Sequence, residues 1–196
     1  ISLSDRGEWG KTMKNVTEMN RKDRVYLRAI EPDDYLVSQK WRNDFDLIKG
    51  YTAPRYVSLE MERKWVQKVI EENESGRSVR VGICTVGEDR LIGYANLLNI
   101  DYKNRNCEFS IIIGDRNYHG KGIPAQVRII LFQHAFLNLG MERISAFVLS
   151  TNITAIIEGE RFGYVKAGVL RKAELQDGQL IDVNIYSILK EELIEK

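Results

Sequence analysis

The feature that most constrains this chain is a glycine-containing loop between an apolar strand and a long apolar helix. A strand pattern over Cys107–Ile113 leads into the loop Gly114–Gly122, and Pro124–Leu139 has the spacing of a helix that ends at Gly140. A short apolar strand, Ile144–Leu149, comes next. Two strands joined through a helix in one sheet are almost always parallel, with a right-handed crossover. The first strand-to-helix loop of such a unit is therefore the expected place for a ligand.

The other segments predict that this unit belongs to a mixed α/β sheet. Strand and helix patterns give the order β-α-α-β-β-β-α-β-α-β-β for the whole chain. Four apolar side chains of the second helix, which Ser58 would cap, are predicted to share its buried face: Met61, Trp65, Val69 and Ile70. The remaining predicted segments are strands over Val25–Ile30, Val79–Val86 and Leu91–Asn99, helices over Asp33–Asn43 and Thr151–Arg161, and a hairpin of Val165–Glu174 with Leu180–Leu189.

A single domain is expected, because the chain has 196 residues and neither a repeat nor a linker divides it. This domain is placed at residues 24–196. Residues 1–23 lack any hydrophobic period and are interpreted as a leader or a flexible extension.

Composition excludes several classes of partner. The 29 basic and 28 acidic residues balance, which gives no electrostatic footprint for nucleic acid or an anionic membrane surface. The apolar stretches are far shorter than the ~20 residues that a membrane helix needs. With only two cysteines and two histidines, the chain offers too few ligands for a zinc site. We therefore expect no metal, no nucleic-acid or membrane partner, and buried free thiols at Cys84 and Cys107 in the reducing cytoplasm.

The loop has the features of an anion-binding site. A helix N-terminus presents unpaired N–H groups and the positive end of the helix dipole, and glycines let the backbone approach a phosphate. Lys121 adds a positive charge. The alternative is a tight strand-to-helix turn with no ligand. The loop and helix start read Tyr118-His119-Gly120-Lys121-Gly122-Ile123-Pro124-Ala125.

Two nucleotide-binding motifs compete for the same residues. A P-loop needs four residues between its glycines and then Lys-Ser/Thr, whereas Gly114 and Gly120 are separated by five and Lys121 precedes Gly122. The spacing from Gly120 through Gly122 to Ala125 does match the dinucleotide fingerprint. That motif calls for an acid at the end of the next strand, where this chain reads Leu-Ser-Thr. A nucleotide-dependent oxidoreductase is therefore disfavoured.

Several motifs stand in an order that is informative together: Cys107-Glu-Phe-Ser-Ile-Ile-Ile-Gly114, His119-Gly-Lys-Gly122, the long helix, Asn152-Ile-Thr-Ala155 and Phe162-Gly-Tyr164. This set resembles the GNAT acetyltransferases, in particular their spermidine and ribosomal-protein N-acetyltransferase branches, over about residues 24–189. The resemblance implies a mixed α/β GNAT fold. It also implies an enzyme that moves an acetyl group from acetyl-CoA directly to a primary amine.

The resemblance further implies how acetyl-CoA is held. Ile111, Ile112 and Ile113 would pair by backbone with the pantetheine arm, and their strand would splay from the next one to admit the thioester. Asn152 matches a residue often found near the cofactor, although capping the following helix explains it equally well. In relatives, the loop binds the coenzyme A pyrophosphate through backbone N–H groups. The positions that take this role here are His119, Gly120, Lys121, Gly122, Ile123, Ala125 and Pro124, which departs from the family's Gly/Ala and has no N–H to donate.

Glu108 is the predicted base for the acceptor amine. Strand alternation puts it on the face opposite Cys107. A carboxylate in such an apolar strand is costly unless it is paired or faces a cleft, and many GNAT relatives place a glutamate here. The alternative is a structural Glu paired with Lys103, Arg105 or a cation of a neighbouring strand.

The usual proton donor is absent from the sequence. Spermidine-branch relatives carry a tyrosine where this chain has Gly159, and Tyr164 takes a position that is normally structural. We expect a slow enzyme, since a thiolate with a pKa near 8.5 leaves without much help. Residues 51–56 lack the acidic cluster with which the spermidine branch binds polycations, so the acceptor is left open between a small-molecule amine and a peptide amine. A homo-oligomer is left open as well. The alternative function is a non-catalytic acyl-CoA-binding module with a degenerate GNAT fold.

Overall fold

The computed structural model describes residues 24–51 and 55–194. The described strands are β1 (Val25–Ala29), β2 (Val79–Thr85), β3 (Leu91–Asp101), β4 (Asn106–Ile113), β5 (Arg143–Leu149), β6 (Val165–Gln176) and β7 (Gln179–Leu189). The described helices are α1 (Tyr35–Arg42), α2 (Phe45–Ile48), α3 (Leu59–Glu74), α4 (Ile123–Gln133), α5 (Ile153–Phe162) and α6 (Lys190–Ile194). These strands form one mixed sheet in the order β1-β2-β3-β4-β5-β7-β6. The predicted extension, residues 1–23, lies outside the described part of the chain.

The predicted order of elements is confirmed, with two short helices added to it. Helix α2 follows Asp44, whose carboxylate accepts a hydrogen bond from Leu47 N at 3.2 Å and so caps the turn. Helix α6 follows the last predicted strand, Leu180–Leu189. Its Leu193 is buried, and the Glu192 carboxylate accepts a hydrogen bond from Leu189 N at 2.8 Å. Both helices are one or two turns long, below the length at which periodicity is informative.

Helix α3 is rotated relative to the sequence prediction. Ser58 caps it as expected, accepting a hydrogen bond from Met61 N at 3.2 Å. Met61, however, is half exposed, and the fully buried face is made by Glu62, Val66 and Val69. The prediction was wrong at Met61. The buried residues have the helical spacing i, i+4, i+7, but the series begins at Glu62, a charged residue that an apolar pattern does not detect.

Two clusters of buried side chains cover the two faces of the sheet. One centres on Phe132 of α4, whose ring meets those of Phe109, Phe162 and Tyr164 edge-on at 5.1–6.0 Å between centroids. The other packs α1 and α3 against Tyr94 of β3. Helix α4 continues as a π-helical turn, His134–Asn138, before Gly140 ends it with φ +70°. The sheet is thus enclosed on both sides at its centre.

The β6–β7 hairpin closes the sheet beyond β5. Its two turn residues, Asp177 and Gly178, both have positive φ, at +48° and +78°. This is the primed turn that matches the twist of a tight hairpin. Over the described residues, no helix is long and apolar enough to cross a membrane. The same part of the chain contains no cluster of three or more His, Cys, Asp or Glu side chains that could hold a metal ion.

The parallel strands β4 and β5 separate after a short contact. They pair at Asn106–Arg143, Cys107–Ile144 and Glu108–Ser145, and no pairing continues beyond Glu108. Strand β4 remains paired with β3 through Ile113, and β5 with β7 through Leu149. The expected splay is confirmed, and it opens a gap in the middle of a continuous sheet.

Candidate active site

The gap exposes backbone hydrogen-bonding groups of β4. Gly114 N donates to Ile92 O at 2.8 Å, so the directly bonded pairs with β3 fall on alternate residues, Ile112 and Ser110 among them. The C=O group of Phe109 and both backbone groups of Ile111 therefore point the other way, into the gap, while the Phe109 N–H still belongs to the last pair with β5. Ile112 differs from its neighbours, because its backbone faces β3 and only its side chain is available to a ligand. An extended substrate arm can add to β4 as a strand would.

A cavity of about 440 Å³ passes through this gap. Its walls come from residues 109–112 of β4, residues 146–149 of β5, and side chains from α1, α3, α4 and α5. The polar and aromatic side chains among its lining residues are Ser38, Trp41, Arg42, Tyr51, Glu62, Trp65, Arg80, Tyr94, Asn96, Phe109, Ser110, Arg128, Phe147, Asn152, Tyr164, Glu174 and Tyr186. The volume suits a small ligand.

The glycine loop lies at the end of β4, beside the cavity. Gly120 and Gly122 have φ of +71° and +68°, and Gly122 forms the N-cap of α4. These left-handed conformations are ones that side chains rarely adopt. The first turn of α4 leaves N–H groups without partners inside the helix, and Pro124 occupies one of those positions. Ile123 and Ala125 flank that proline.

The side chains of His119 and Lys121 make different contacts in the loop. The His119 ring places Nε2 at 2.9 Å from Ile113 O, which fastens the loop to the open edge of β4. Lys121 is exposed, and its ammonium lies 5.0 Å from the centre of the Tyr118 ring. His119 thus has a structural contact, whereas Lys121 supplies charge near the helix start.

Asn152 acts as a helix cap in this structure. Its side-chain oxygen accepts a hydrogen bond from Ala155 N at 3.2 Å, and its amide nitrogen donates to Gly50 O at 3.1 Å. Both ends of the side chain are therefore used within the protein, although the residue also lines the cavity. Its capping role is observed, and a cofactor contact stays a prediction.

Glu108 lies at the last paired position of β4, where the gap begins. It is partly buried and does not line the cavity, whereas Ser110, two residues further along the same face, does. Arg105, one of the structural partners expected for Glu108, pairs with Glu142 at 2.7 Å instead. Within the described residues, Glu108 forms no ion pair. It does influence Cys107, since burial first and the Glu108 charge second raise the pKa of that thiol to about 12.

The family now follows from direct comparison. Residues 24–164 match the family described as an acetyltransferase (GNAT) domain. The chain belongs to the GNAT acetyltransferases.

Individual relatives agree with this assignment. The uncharacterized N-acetyltransferase p20 of Bacillus licheniformis is 29% identical over 170 residues, which cover 87% of this chain and 95% of that protein. YdaF of Bacillus subtilis, provisionally named a ribosomal N-acetyltransferase, is 30% identical over 102 residues, 52% of this chain and 55% of that protein. Spermidine N-acetyltransferase from Vibrio cholerae, solved in complex with CoA and spermine, has a TM-score of 0.79 at 25% identity and covers 89% of this chain and 99% of that one. The predicted family, fold, enzyme class and acetyl-CoA co-substrate are confirmed, and the non-catalytic binding module is not favoured.

The position at which the spermidine branch was expected to carry a tyrosine is open in this GNAT chain. Gly159 lines the cavity, and a Cβ built on it would meet only Tyr164 Cδ2, at an ordinary 3.6 Å. Tyr164 is buried, and its hydroxyl has no hydrogen-bond partner. Burial raises the pKa of Tyr164, as it does that of Tyr51, where the Glu158 charge adds to the effect. Two phenols near the gap therefore keep their protons at neutral pH.

Among the charged side chains of the cavity that sequence reasoning missed are Glu62, Arg128 and Glu174. Arg128 is buried in α4 between the rings of Phe109 and Phe162, at 5.8 and 5.6 Å, and burial lowers its pKa. An Arg within an apolar helix was the available signal for it. Glu62 lies in a charged run and Glu174 in an exposed strand, so neither stood out.

Proposed function

We propose that this protein transfers the acetyl group of acetyl-CoA to a primary amine of a small molecule or peptide, without an acetyl-enzyme intermediate. The observation that carries the proposal is the gap between β4 and β5, which opens beside the glycine loop and continues into one cavity. Both cysteines are buried, and burial raises the pKa of each thiol. A thiol that holds its proton is a poor nucleophile, which favours direct attack by the amine.

Acetyl-CoA would lie along the open edge of β4. The N–H groups of Gly122, Ile123 and Ala125 would bind the pyrophosphate at the start of α4. The Ile111 N–H and C=O would pair with the pantetheine arm, while the carbonyl of Ile113 is already bound by His119. The thioester would then reach the part of the gap between Phe109 and Ala146, both of which line the cavity.

The acceptor amine must lose its protons for the reaction to finish. Its nitrogen attacks the thioester carbon, the carbon–sulfur bond breaks, and the amine proton leaves to a base. Glu108 is the proposed base, acting through a water next to Ser110, because Glu108 lies beside the cavity and not in its wall. The departing thiolate takes a proton from water or from the phenol of Tyr51, a residue that lines the cavity. With only weak help for this step, turnover is expected to be slow.

The proposal is tested by thiol release. Purified protein is incubated with acetyl-CoA and a panel of primary amines, and free coenzyme A thiol is followed with a chromogenic reagent. Amine-dependent release, with the acetylated amine identified by mass spectrometry, is the expected result. Binding of acetyl-CoA in a thermal shift assay without release for any amine would overturn the proposed activity.

The acceptor range includes small molecules because the Vibrio cholerae relative acts on spermidine. A peptide amine remains within the proposal, since the cavity mouth is open at Glu174, an exposed residue of β6. We place the protein in the cytoplasm, where the buried free thiols of Cys84 and Cys107 would stay reduced.

A further inference from the structure

Glu62 presents a buried carboxylate oxygen with no partner to the cavity. The residue is 1% exposed. Its Oε1 accepts a hydrogen bond from Ser38 Oγ at 2.7 Å, whereas its Oε2 is buried and has no hydrogen-bond partner. A buried carboxylate that lacks compensation is among the most costly groups in a protein interior. A bound cation would supply that compensation.

The cations that line the same cavity do not neutralise Glu62. Arg80 pairs with Glu72 at 3.1 Å, and Arg42 lies 5.5 Å from the centre of the Trp65 ring. Arg128 lies between two phenylalanine rings on the other side of the sheet. No cation among the described residues forms an ion pair with the Glu62 carboxylate. The neighbouring buried acid is different, because Arg28 binds Asp34 with two bonds of 2.9 and 2.7 Å.

Aromatic rings line the same cavity as Glu62, a combination that suits an ammonium group. Trp41, Trp65 and Tyr94 line the cavity with it, and the Tyr94 ring lies 5.7 Å from that of Trp41 and 5.8 Å from that of Trp65. Ring faces attract cations and exclude water, while a carboxylate supplies the charge-assisted hydrogen bond. A neutral apolar ligand would leave Oε2 unsatisfied.

We infer that Glu62 binds a second cationic group of the acceptor, at the end of the cavity away from the acetyl-transfer gap. The acceptor class is a compact molecule with two cationic groups, of which one amine is acetylated and the other is held by Glu62. This rests on the proposed function only in taking the β4–β5 gap as the place of transfer. The sequence argument against polycations considered residues 51–56, whereas this acid comes from α3.

The test compares binding of matched ligands in the presence of coenzyme A, so that no turnover occurs. The probes are α,ω-diaminoalkanes of three to eight carbons and the n-alkylamines of equal chain length, measured by calorimetry. We expect the best diamine to bind wild type about 10- to 100-fold more tightly than its monoamine. Glu62→Gln, which keeps the shape of the side chain, should abolish that preference. Glu60→Gln, the same change on the exposed side of α3, should leave it intact.

Each outcome decides the inference. Equal binding of diamine and monoamine to wild type overturns it, and this comparison does not depend on whether Glu62→Gln folds. A preference that survives in Glu62→Gln overturns it as well. Thiol release distinguishes the two proposals: equal kcat/KM for diamine and monoamine would leave acetyl transfer standing without Glu62 recognition. Selective diamine binding without any release would leave Glu62 recognition standing without acetyl transfer.

Discussion

The two ends of the cavity are built from different materials. The proposed cofactor end, which includes the loop beside the cavity, consists of backbone: the open edge of β4 and the N–H groups at the start of α4, within residues 111–125. The proposed acceptor end consists of side chains from α1, α3 and β3, with Ser38, Glu62 and Tyr94 brought together from distant parts of the sequence. A backbone site tolerates many side chains, which suits a co-substrate common to a family. A side-chain site can change residue by residue, which suits an acceptor that differs between relatives.

The largest effect is expected at Glu108, where the two ends meet. Glu108→Gln should lower kcat by about 10²–10⁴-fold at neutral pH, because an amine that is mostly protonated needs a base. The deficit should shrink as pH rises and free amine becomes abundant. A pH–rate profile for both proteins is the measurement.

Glu174→Gln is the matched control for Glu108, since Glu174 is also a carboxylate at the cavity. It should leave the profile unchanged. If Glu174→Gln shows the pH-dependent loss and Glu108→Gln does not, the base belongs to β6 and Glu108 is structural.

The cofactor end is tested by Gly122→Asp. Acetyl-CoA at 100 times its dissociation constant should stabilise wild type by about 2.7 kcal/mol. Asp at the N-cap of α4 should remove this stabilisation through steric block and charge repulsion, as seen by thermal denaturation with and without ligand.

Gly76→Asp is the control for the effect of backbone strain. Gly76 has nearly the same φ, +69°, in a turn with nothing within 4 Å of an added Cβ. This variant should lose some intrinsic stability and keep the full shift from acetyl-CoA. If acetyl-CoA stabilised Gly122→Asp and Gly76→Asp equally, the pyrophosphate would not bind at this loop.

Arg128 tests the contrast between the two ends, because it contributes a side chain near the end that is built mainly of backbone. Its guanidinium is buried, its Nε has no hydrogen-bond partner, and it forms no ion pair with any described residue. Replacing such a group by an apolar side chain of similar length should stabilise the free protein, by about 1–2 kcal/mol for Arg128→Met. If Arg128 binds an anionic group, the stabilisation by acetyl-CoA or acceptor should fall in the same variant.

Urea denaturation of the free protein measures the first effect. The exposed change Arg161→Met on α5 is the control and should stay within about 0.5 kcal/mol of wild type. A less stable Arg128→Met would show that the guanidinium contributes to the core through its ring contacts.

The smallest effect is expected at Gly159. Gly159→Tyr should raise kcat at neutral pH by several-fold, because a thiolate with a pKa near 8.5 gains only a little from a proton donor. A Cβ fits there at 3.6 Å from Tyr164, and the side chain would enter the cavity. Gly159→Phe fills the same space without a hydroxyl and separates filling from proton donation. A higher KM with unchanged kcat in both variants would place the acceptor against this turn.

Whether a feature could be predicted from the sequence depended on how far apart along the chain the residues that determine it lie. The glycine loop, the parallel pair of β4 and β5 and the Ser58 cap were predictable, because residues within a few positions fix those backbone conformations. The buried face of α3 was not, since packing decided between Met61 and Glu62 at adjacent positions. Asn152 was ambiguous for a related reason: a cap and a ligand contact call for the same amide.

The sequence by itself determined the fold class, the family and the co-substrate, since all three reside in local patterns in their order along the chain. Only the tertiary structure decided that Glu108 lies beside the cavity and that Arg128 enters it. It alone joined Glu62 to Ser38, and to Trp41, Trp65 and Tyr94 around the same space. The physical reason is that a side chain's surroundings depend on how helices rotate and pack against the sheet, which is a sum of many small, non-local burial energies.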